Sequence, residues 1–167
     1  MGGYGSGHRI TRKSTVQECR ALDLASFPKG DFVRQSHWPR TVTWRNYADE
    51  VTASVGYTCE PCGVGMAVLR FSYTVTRAEK GQEVAESIQV VVTRPHFGGT
   101  RWWFICPVIV NNRECLRRVR KLYLPSGGTY FGCRTCYNLT YESVRTHDNR
   151  VGRLVRSPDA ILAALRS

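Results

Sequence analysis

The chain of 167 residues lacks the long apolar runs that mark membrane and secreted proteins. No stretch approaches the roughly 18 to 20 apolar residues that a membrane-spanning helix needs. The Gly-rich start, MGGYGSGHRITRKS, has no apolar segment of the kind found in signal peptides. We therefore expect a cytoplasmic protein with no membrane partner.

Motifs of common enzyme active sites are also missing. The sequence has no Gly-rich phosphate loop, no His-Glu-x-x-His and no Gly-x-Ser-x-Gly. The pairs His147-Asp148 and Asp49-Glu50 stand in polar, loop-like contexts, and adjacency in sequence does not make a catalytic dyad. We therefore predict that the chain is not an enzyme and has no small-molecule substrate.

Acidic residues are scarce, with 13 Asp and Glu against 24 Lys and Arg, which gives a net charge of +11. The excess is uneven: residues 1–99 hold 12 basic and 9 acidic residues, a net +3, and residues 100–167 hold 12 and 4, a net +8. An acidic partner is expected, and nucleic acid is the commonest one.

Cysteine is the informative residue of this sequence. Seven cysteines, an odd number that includes two Cys-x2-Cys pairs, favour metal sites in a reducing cytoplasm over a disulfide framework. We predict a zinc ribbon with Cys106, Cys115, Cys133 and Cys136 as ligands of one structural zinc ion. Eight residues separate Cys106 from Cys115, where a tight knuckle has two to four, so the alternative is that some of these cysteines are only buried.

The segment between the two ligand pairs has the pattern of a β-hairpin. Residues 119–124 would be the outgoing strand, residues 125–128 the turn and residues 129–131 the start of the return strand. A closed four-sulfur site leaves no open position for substrate, so this zinc would be a scaffold.

A second site is conceivable around Cys59 and Cys62, which have knuckle spacing but no second pair nearby. Cys19 with a histidine such as His8 or His37 would complete it. The alternatives are a reversible dithiol and an unligated hairpin turn.

Hydrophobic periodicity predicts a mainly β protein, or β-rich α+β. Period-two runs predict strands at residues 41–45, 52–58, 66–77 and 84–93, joined by short links as in an antiparallel meander. Residues 101–105 would be a further strand that enters the metal site. A capping-box pattern at residues 14–18, followed by apolar residues near helical spacing, predicts an N-terminal helix. A second short helix is predicted at residues 157–166.

These predictions divide the chain into four parts. Residues 1–14 would be a flexible basic arm, 15–96 a domain of a helix and an antiparallel sheet, 97–143 the zinc ribbon, and 144–167 a basic tail with the C-terminal helix.

Basic residues gather around the predicted ribbon, with aromatic residues between them. The candidate nucleic-acid contacts are Arg101, Arg113, Arg117, Arg118, Arg120, Lys121 and Arg134. The interleaved aromatic residues are Trp102, Trp103, Tyr123, Tyr130 and Phe131. Guanidinium groups beside exposed rings suit phosphate contacts and base stacking. The alternative is that the rings form the ribbon core and the cations a solvated face.

Several motifs resemble a family of small, uncharacterised bacterial proteins often met in prophages and mobile elements. They are FGGTRWWF at 97–104, Cys106-Pro107, KLYLP at 121–125, and FGCR-x-CY-x-LTY at 131–141. The resemblance implies a zinc ribbon and carries no activity with it. It also motivates an alternative function, a protein-binding inhibitor or adaptor that contacts an acidic surface of a host nucleic-acid-processing complex.

Overall fold

The computed structural model describes residues 13–34, 36–77 and 80–145, and this part of the chain is mainly β. The strands are β1 Arg20–Asp23, β2 Ser36–Arg45, β3 Val51–Pro61, β4 Met66–Arg77, β5 Lys80–Thr93, β6 Arg101–Ile105, β7 Ile109–Val110, β8 Arg113–Glu114, β9 Arg118–Val119 and β10 Lys121–Leu124. The helical turns are three 3-10 segments, Val16–Glu18, Leu24–Ser26 and Lys29–Phe32, and one α-helical turn, α1 Glu142–Arg145.

Two predictions fall on other parts of the chain. The basic arm at residues 1–14 lies almost wholly outside the described residues, and the C-terminal helix at residues 157–166 lies entirely outside them. Within the described ranges, no helix is long and apolar enough to cross a membrane.

The long strands form the predicted antiparallel meander. Six strands are hydrogen-bonded in the order β2-β3-β4-β5-β6-β9, and we call them the meander sheet. The sheet curls into a half-barrel because its two edges approach one another through β1 and β10. β1 pairs with β10, and the Trp44 indole on β2 donates a hydrogen bond to the Ala21 carbonyl on β1 over 2.9 Å.

Alternation of side chains gives the meander sheet one buried face. On β4, Leu69 and Phe71 are buried while Arg70 and Ser72 are exposed. The segment with the 3-10 turns Leu24–Ser26 and Lys29–Phe32 covers the buried face. Phe27 lies between these two turns, and its ring centroid is 5.0 Å from that of Tyr57 and 5.7 Å from that of Phe104, in edge-to-face arrangements.

The predicted N-terminal helix is wrong. The capping box forms, since the Thr15 amide donates to the Glu18 carboxylate over 3.0 Å, but it begins only one 3-10 turn. The chain then extends as β1, with Ala21 opposite Tyr123. Pairing with β10 satisfies backbone groups that a helix would satisfy internally. Leu22 and Leu24 are both buried and two residues apart, which fits the extended chain.

The meander sheet continues across the boundary predicted at residue 97. β5 and β6 lie on either side of it and pair with Val90 opposite Phe104. Phe131, from the predicted ribbon, is fully buried and stacks on Trp44 with centroids 6.2 Å apart. The two parts of the chain therefore share one sheet and one hydrophobic core.

The predicted ribbon hairpin is reduced in the structure. Arg120 divides its outgoing strand into β9 and β10, and the return strand contributes a single bridge between Tyr123 and Gly132. The turn closes through a 2.9 Å hydrogen bond from the Gly128 amide to the Pro125 carbonyl. The other edge of β10 pairs with β1, so the N-terminal strand is hydrogen-bonded to this hairpin.

Candidate metal centre

The four cysteines predicted as zinc ligands come together at the end of β6. Their sulfur atoms all lie within 4.8 Å of one another, and we call Cys106, Cys115, Cys133 and Cys136 the cysteine cluster. The Sγ–Sγ distances are 3.9 Å from Cys106 to Cys136, 3.8 Å from Cys115 to Cys133 and 3.5 Å from Cys133 to Cys136. Tetrahedral zinc with Zn–S bonds near 2.3 Å requires about 3.8 Å between sulfurs. The cluster could therefore hold one metal ion, and four thiolates favour zinc.

A small hairpin explains the eight residues between the first two ligands. β7 and β8 pair directly, and Asn111 and Asn112 between them have φ values of 50° and 60°. Positive φ at both central residues is the requirement of a tight two-residue turn, and asparagine tolerates it. The hairpin brings its ends together, since the Cys115 amide donates to the Val108 carbonyl over 3.0 Å. The long interval is thus compatible with metal binding.

Leu116 stands where a zinc knuckle usually has glycine, and its backbone still adopts the conformation that glycine favours. Its φ is 50°, in the left-handed region, and its side chain is 58% exposed. This conformation costs a non-glycine residue about 1–2 kcal/mol. It lets the chain turn back so that the Cys106 amide donates to the Arg117 carbonyl over 3.0 Å.

The second ligand pair forms a tight turn with amides directed at sulfur. The Cys136 amide lies 3.4 Å from the Cys133 sulfur, and the Cys133 amide lies 3.2 Å from the Cys106 sulfur. The Tyr137 amide donates to the Cys133 carbonyl over 3.3 Å and closes the turn. N–H donors of this kind stabilise negative charge on thiolates.

A bound cation would change the protonation of the cluster. Burial raises the pKa of the Cys106 thiol to about 11 and also raises the pKa of Cys136. Burial disfavours the Cys133 thiolate too, but hydrogen bonds from the Cys136 backbone and from the Cys136 and Cys115 side chains outweigh it and lower the Cys133 pKa to about 7. Four thiolates this close repel one another, so the divalent ion would supply the charge that lets all four ionise.

Four protein sulfurs fill a tetrahedral shell, which makes this arrangement suited to a structural ion. When bound, zinc would clamp the end of β6, the β7–β8 hairpin and the turn that ends at Cys136. Among these segments the cluster is half-buried: Cys106 and Cys133 are buried, while Cys115 and Cys136 are partly exposed.

The cysteines predicted for a second site lie apart from this cluster. Within the described ranges the cysteine cluster is the one group of three or more potential ligands. Sulfur–carbonyl contacts of 3.3–3.4 Å join Cys19 to Thr15, Cys59 to Asp31 and Cys62 to Glu60. Of the candidate histidines, His8 and the side chain of His37 lie outside the described residues. The second site stays a prediction that no contact in this part of the chain supports.

Three of the predicted cationic residues are close neighbours in sequence of the cluster cysteines. Arg113 and Arg117 each stand two residues from Cys115, and Arg134 lies between Cys133 and Cys136. All three are exposed. The Arg117 guanidinium is 3.8 Å from the Cys115 sulfur, and that of Arg134 lies 5.3 Å from the centre of the Tyr141 ring.

The other predicted cations are spread along neighbouring strands. Arg118 is on the edge strand β9 opposite Ile105, and Arg120 follows it. Lys121 is engaged with Asp23 at 2.9 Å. Arg101 is at the far end of β6 from the cluster, with its guanidinium 5.4 Å from the Trp103 ring centre.

Sequence reasoning missed a buried polar link between the meander sheet and the segment that carries the cluster. Glu86 on β5 is 7% exposed, accepts the Phe131 amide over 3.1 Å and lies 2.7 Å from the Tyr73 hydroxyl. Burial raises the pKa of Glu86. A signal existed, because Glu86 falls on the inward face of the alternating run Val84-x-Glu86-x-Ile88.

The Tyr73 hydroxyl also lies 2.8 Å from the Thr129 carbonyl oxygen. A hydroxyl has one hydrogen and cannot donate to both oxygens at once. Tyr73 donates to the carboxylate when Glu86 is ionised; both contacts are hydrogen bonds at once only when Glu86 carries a proton and donates it to Tyr73. Burial shifts the pKa of Glu86 toward that protonated form, and the hydrogen bonds from Phe131 and Tyr73 oppose the shift.

Comparison with protein-family models, with curated proteins and with solved structures gives no match to this chain. The resemblance to the family of prophage and mobile-element proteins therefore stays a prediction. What is shown is a mainly antiparallel β-structure with a four-cysteine cluster consistent with zinc binding.

Proposed function

We propose that the chain is a non-enzymatic nucleic-acid-binding protein of the cytoplasm, in which a zinc-filled cysteine cluster holds arginine side chains in place for phosphate contacts. The observation that carries the proposal is the placement of Arg113, Arg117 and Arg134, each one or two residues from a cysteine of the cluster. A metal that fixes the four sulfurs also fixes the backbone from which these guanidinium groups extend.

Arginines outnumber carboxylates beside the cluster, where Glu114 is the acidic neighbour of Cys115. Among the described residues these three arginines form no ion pair with Asp or Glu, whereas Lys121 is paired with Asp23. Arg118 and Arg120 add two exposed guanidinium groups on the adjoining segment. Guanidinium groups without a carboxylate partner suit phosphate oxygens, which they bind through paired hydrogen bonds.

The test is binding of fluorescently labelled single-stranded and duplex oligonucleotides, followed by anisotropy over a range of salt concentrations. Each phosphate contact contributes about 0.7 to 0.9 to the slope of log affinity against log salt. The variant R113Q/R117Q/R134Q should therefore bind more weakly and lower that slope by about 2 to 3. Removal of zinc by a chelator should also weaken binding.

A matched control separates local contacts from net charge. The variant K29Q/R34Q/K80Q removes the same three charges from exposed positions distant in sequence from the cluster, and it should change the salt slope much less. Absence of binding at low salt, or affinity that salt does not change, would overturn the proposal. Metal-dependent turnover of an oligonucleotide would overturn its non-enzymatic part.

A protein-binding role is the second candidate, and one groove favours it. A groove of about 460 Å³ beside the cluster is lined by Ala85 and Ser87 on β5, by Pro107 and Ile109 near β7, and by Tyr130 after β10. Ile109 is 62% exposed, and exposed apolar residues beside a groove are typical of contact surfaces. A host partner that survives nuclease treatment in copurification, and that Ile109→Asp releases, would favour this inhibitor or adaptor role over nucleic-acid binding.

A further inference from the structure

We propose that the loop between β5 and β6, residues 94–100, stacks a base of single-stranded nucleic acid on Phe97 and binds the flanking phosphates through Arg94 and Arg101. The inference rests on the proposed nucleic-acid binding and specifies the strandedness of the ligand. It also adds Arg94 and Phe97 to the residues predicted to contact the ligand.

Phe97 is presented at the tip of a closed turn. The Gly98 amide donates to the Pro95 carbonyl over 3.0 Å, so residues 95–98 form a β-turn with Phe97 in its centre. Gly98 and Gly99 then take φ values of 84° and 79°, which return the chain to the sheet. Phe97 is 98% exposed, and the His96 ring lies beside its ring in a T-shaped arrangement with centroids 5.7 Å apart. This degree of exposure leaves the ring accessible to a planar ligand.

Two arginines stand at the base of this loop. Thr93 opposite Arg101 is the last pair of the β5–β6 ladder, so Arg94 and Arg101 lie at the two ends of the loop. Both are exposed, and in the described part of the chain neither forms an ion pair with a carboxylate. A cation on each side of an exposed ring matches a base with a phosphate on each side of it.

Arg101 is held in position by its neighbours. Its guanidinium lies 5.4 Å from the centre of the Trp103 ring, within the range of a cation–π contact. The Trp103 indole in turn donates a 2.8 Å hydrogen bond to the Thr93 hydroxyl across the strand pair. The contact with Trp103 restricts the Arg101 side chain before any ligand binds, which lowers the entropy lost when it binds a phosphate.

A single exposed ring is ordinary on a protein surface, and Tyr47 shows what distinguishes Phe97. Tyr47 is fully exposed in the turn between β2 and β3, but Asp49 and Glu50 follow it after Ala48. Carboxylates beside a ring repel a polyanion, whereas arginines attract it. Of the two exposed rings, Phe97 is therefore the one that suits a nucleic-acid ligand.

Strandedness follows from which base faces are free. In a duplex the faces of the bases are stacked on one another, and a protein ring must unstack them at a cost to reach one. In a single strand the faces are open, so a ring flanked by cations gains stacking and phosphate contacts together. We expect tighter binding to single strands than to a duplex of equal length.

The experiment compares a labelled oligothymidylate with a blunt duplex of equal length by anisotropy at low salt. Wild-type protein should prefer the single strand. Phe97→Ala should weaken single-strand binding by about 5- to 150-fold, which is the range for loss of one stacked base, and should leave duplex binding unchanged. Phe97→Trp should restore single-strand affinity, and Tyr47→Ala, the matched control, should behave like wild type.

The outcomes separate this inference from the proposal beneath it. Binding to both ligands with Phe97→Ala equal to wild type would overturn the stacking role and leave nucleic-acid binding in place. Binding to neither ligand would overturn both. Because the Phe97 ring is almost fully exposed, the substitution should not alter folding, and unchanged thermal unfolding of Phe97→Ala is the check on that point.

Discussion

Two turns of this protein have the same Cys-x2-Cys spacing and different structures. At Cys133 and Cys136 the chain wraps tightly enough for an amide of one cysteine to reach the sulfur of the other. At Cys59 and Cys62 the chain is the end of β3, where Cys59 faces the core and Cys62 is exposed. Spacing alone therefore does not make a knuckle, because two sulfurs converge only where the backbone turns between them.

Glycine makes the contrast sharper. Gly63 follows Cys62, as a knuckle would require, and has φ of 112° in the turn between β3 and β4. Leu116 follows Cys115 and adopts φ of 50° without being glycine. Gly63, the residue type usual after a knuckle cysteine, thus follows a pair with no second pair nearby, whereas a leucine in the left-handed conformation follows Cys115 of the cluster.

Removal of a cluster ligand should give the largest difference between the two turns. Cys133→Ser should abolish zinc binding and unfold the cluster segment, because structural zinc contributes about 10–16 kcal/mol of apparent binding free energy in small zinc domains. Cys62→Ser, at an exposed sulfur, should retain one zinc ion per chain and change stability by no more than about 0.5 kcal/mol.

Elemental analysis of zinc, together with thermal unfolding by circular dichroism, measures both effects. A Cys133→Ser protein that keeps a full equivalent of zinc would contradict the assignment of the cluster. Loss of zinc on substitution of Cys62 would show that the two turns cooperate in metal binding.

Glu86 links the meander sheet to the cluster segment and should give an intermediate effect. Glu86→Ala leaves the buried Phe131 amide without its acceptor and should destabilise the protein by about 1–3 kcal/mol. Glu86→Gln can still accept from Phe131 and donate to Tyr73, so it should retain most of the stability. Denaturation in urea measures both, and Glu83→Gln, exposed on the same strand, is the control.

The pH dependence of the same variants tests the protonation of Glu86. Burial raises its pKa above the ordinary value of 4.5. Stability from the neutral carboxyl is therefore full below that ordinary value and is lost as pH rises through the folded-state pKa. Glu86→Gln should lack this decline, so its stability relative to wild type should increase with pH. An identical pH profile for both proteins would mean that Glu86 is not the group that titrates.

The smallest expected effect concerns the backbone after each cysteine pair. Leu116→Gly should relieve the left-handed strain and stabilise the zinc-bound protein by up to about 1 kcal/mol, less the greater chain entropy of glycine in the unfolded state. Gly63→Ala should act in the opposite sense, since alanine adopts a φ of 112° poorly. Zinc affinity from a competing chelator should rise for the first variant and stay unchanged for the second. A fall in zinc affinity with Leu116→Gly would contradict the strain argument.

Local sequence patterns predict much of this architecture. The bounds of β4 match the period-two run that predicts it, because alternation of buried and exposed side chains is a property of a strand on a one-sided sheet. The strand predicted at residues 101–105 matches β6. The four cysteines were identified from spacing and from the preference of thiolates for zinc, and the structure brings all four together.

Contacts between residues distant in sequence determined the rest of the fold. The sequence by itself determined the strands of the meander, the four cysteines that form the cluster and the excess of positive charge beside them. Only the tertiary structure decided that residues 20–23 pair with β10 instead of continuing a helix, that a hairpin closes the gap from Cys106 to Cys115, and that Glu86 meets Phe131. Each of these depends on partners distant in sequence, whose backbone and side-chain hydrogen bonds outweigh weak local propensity.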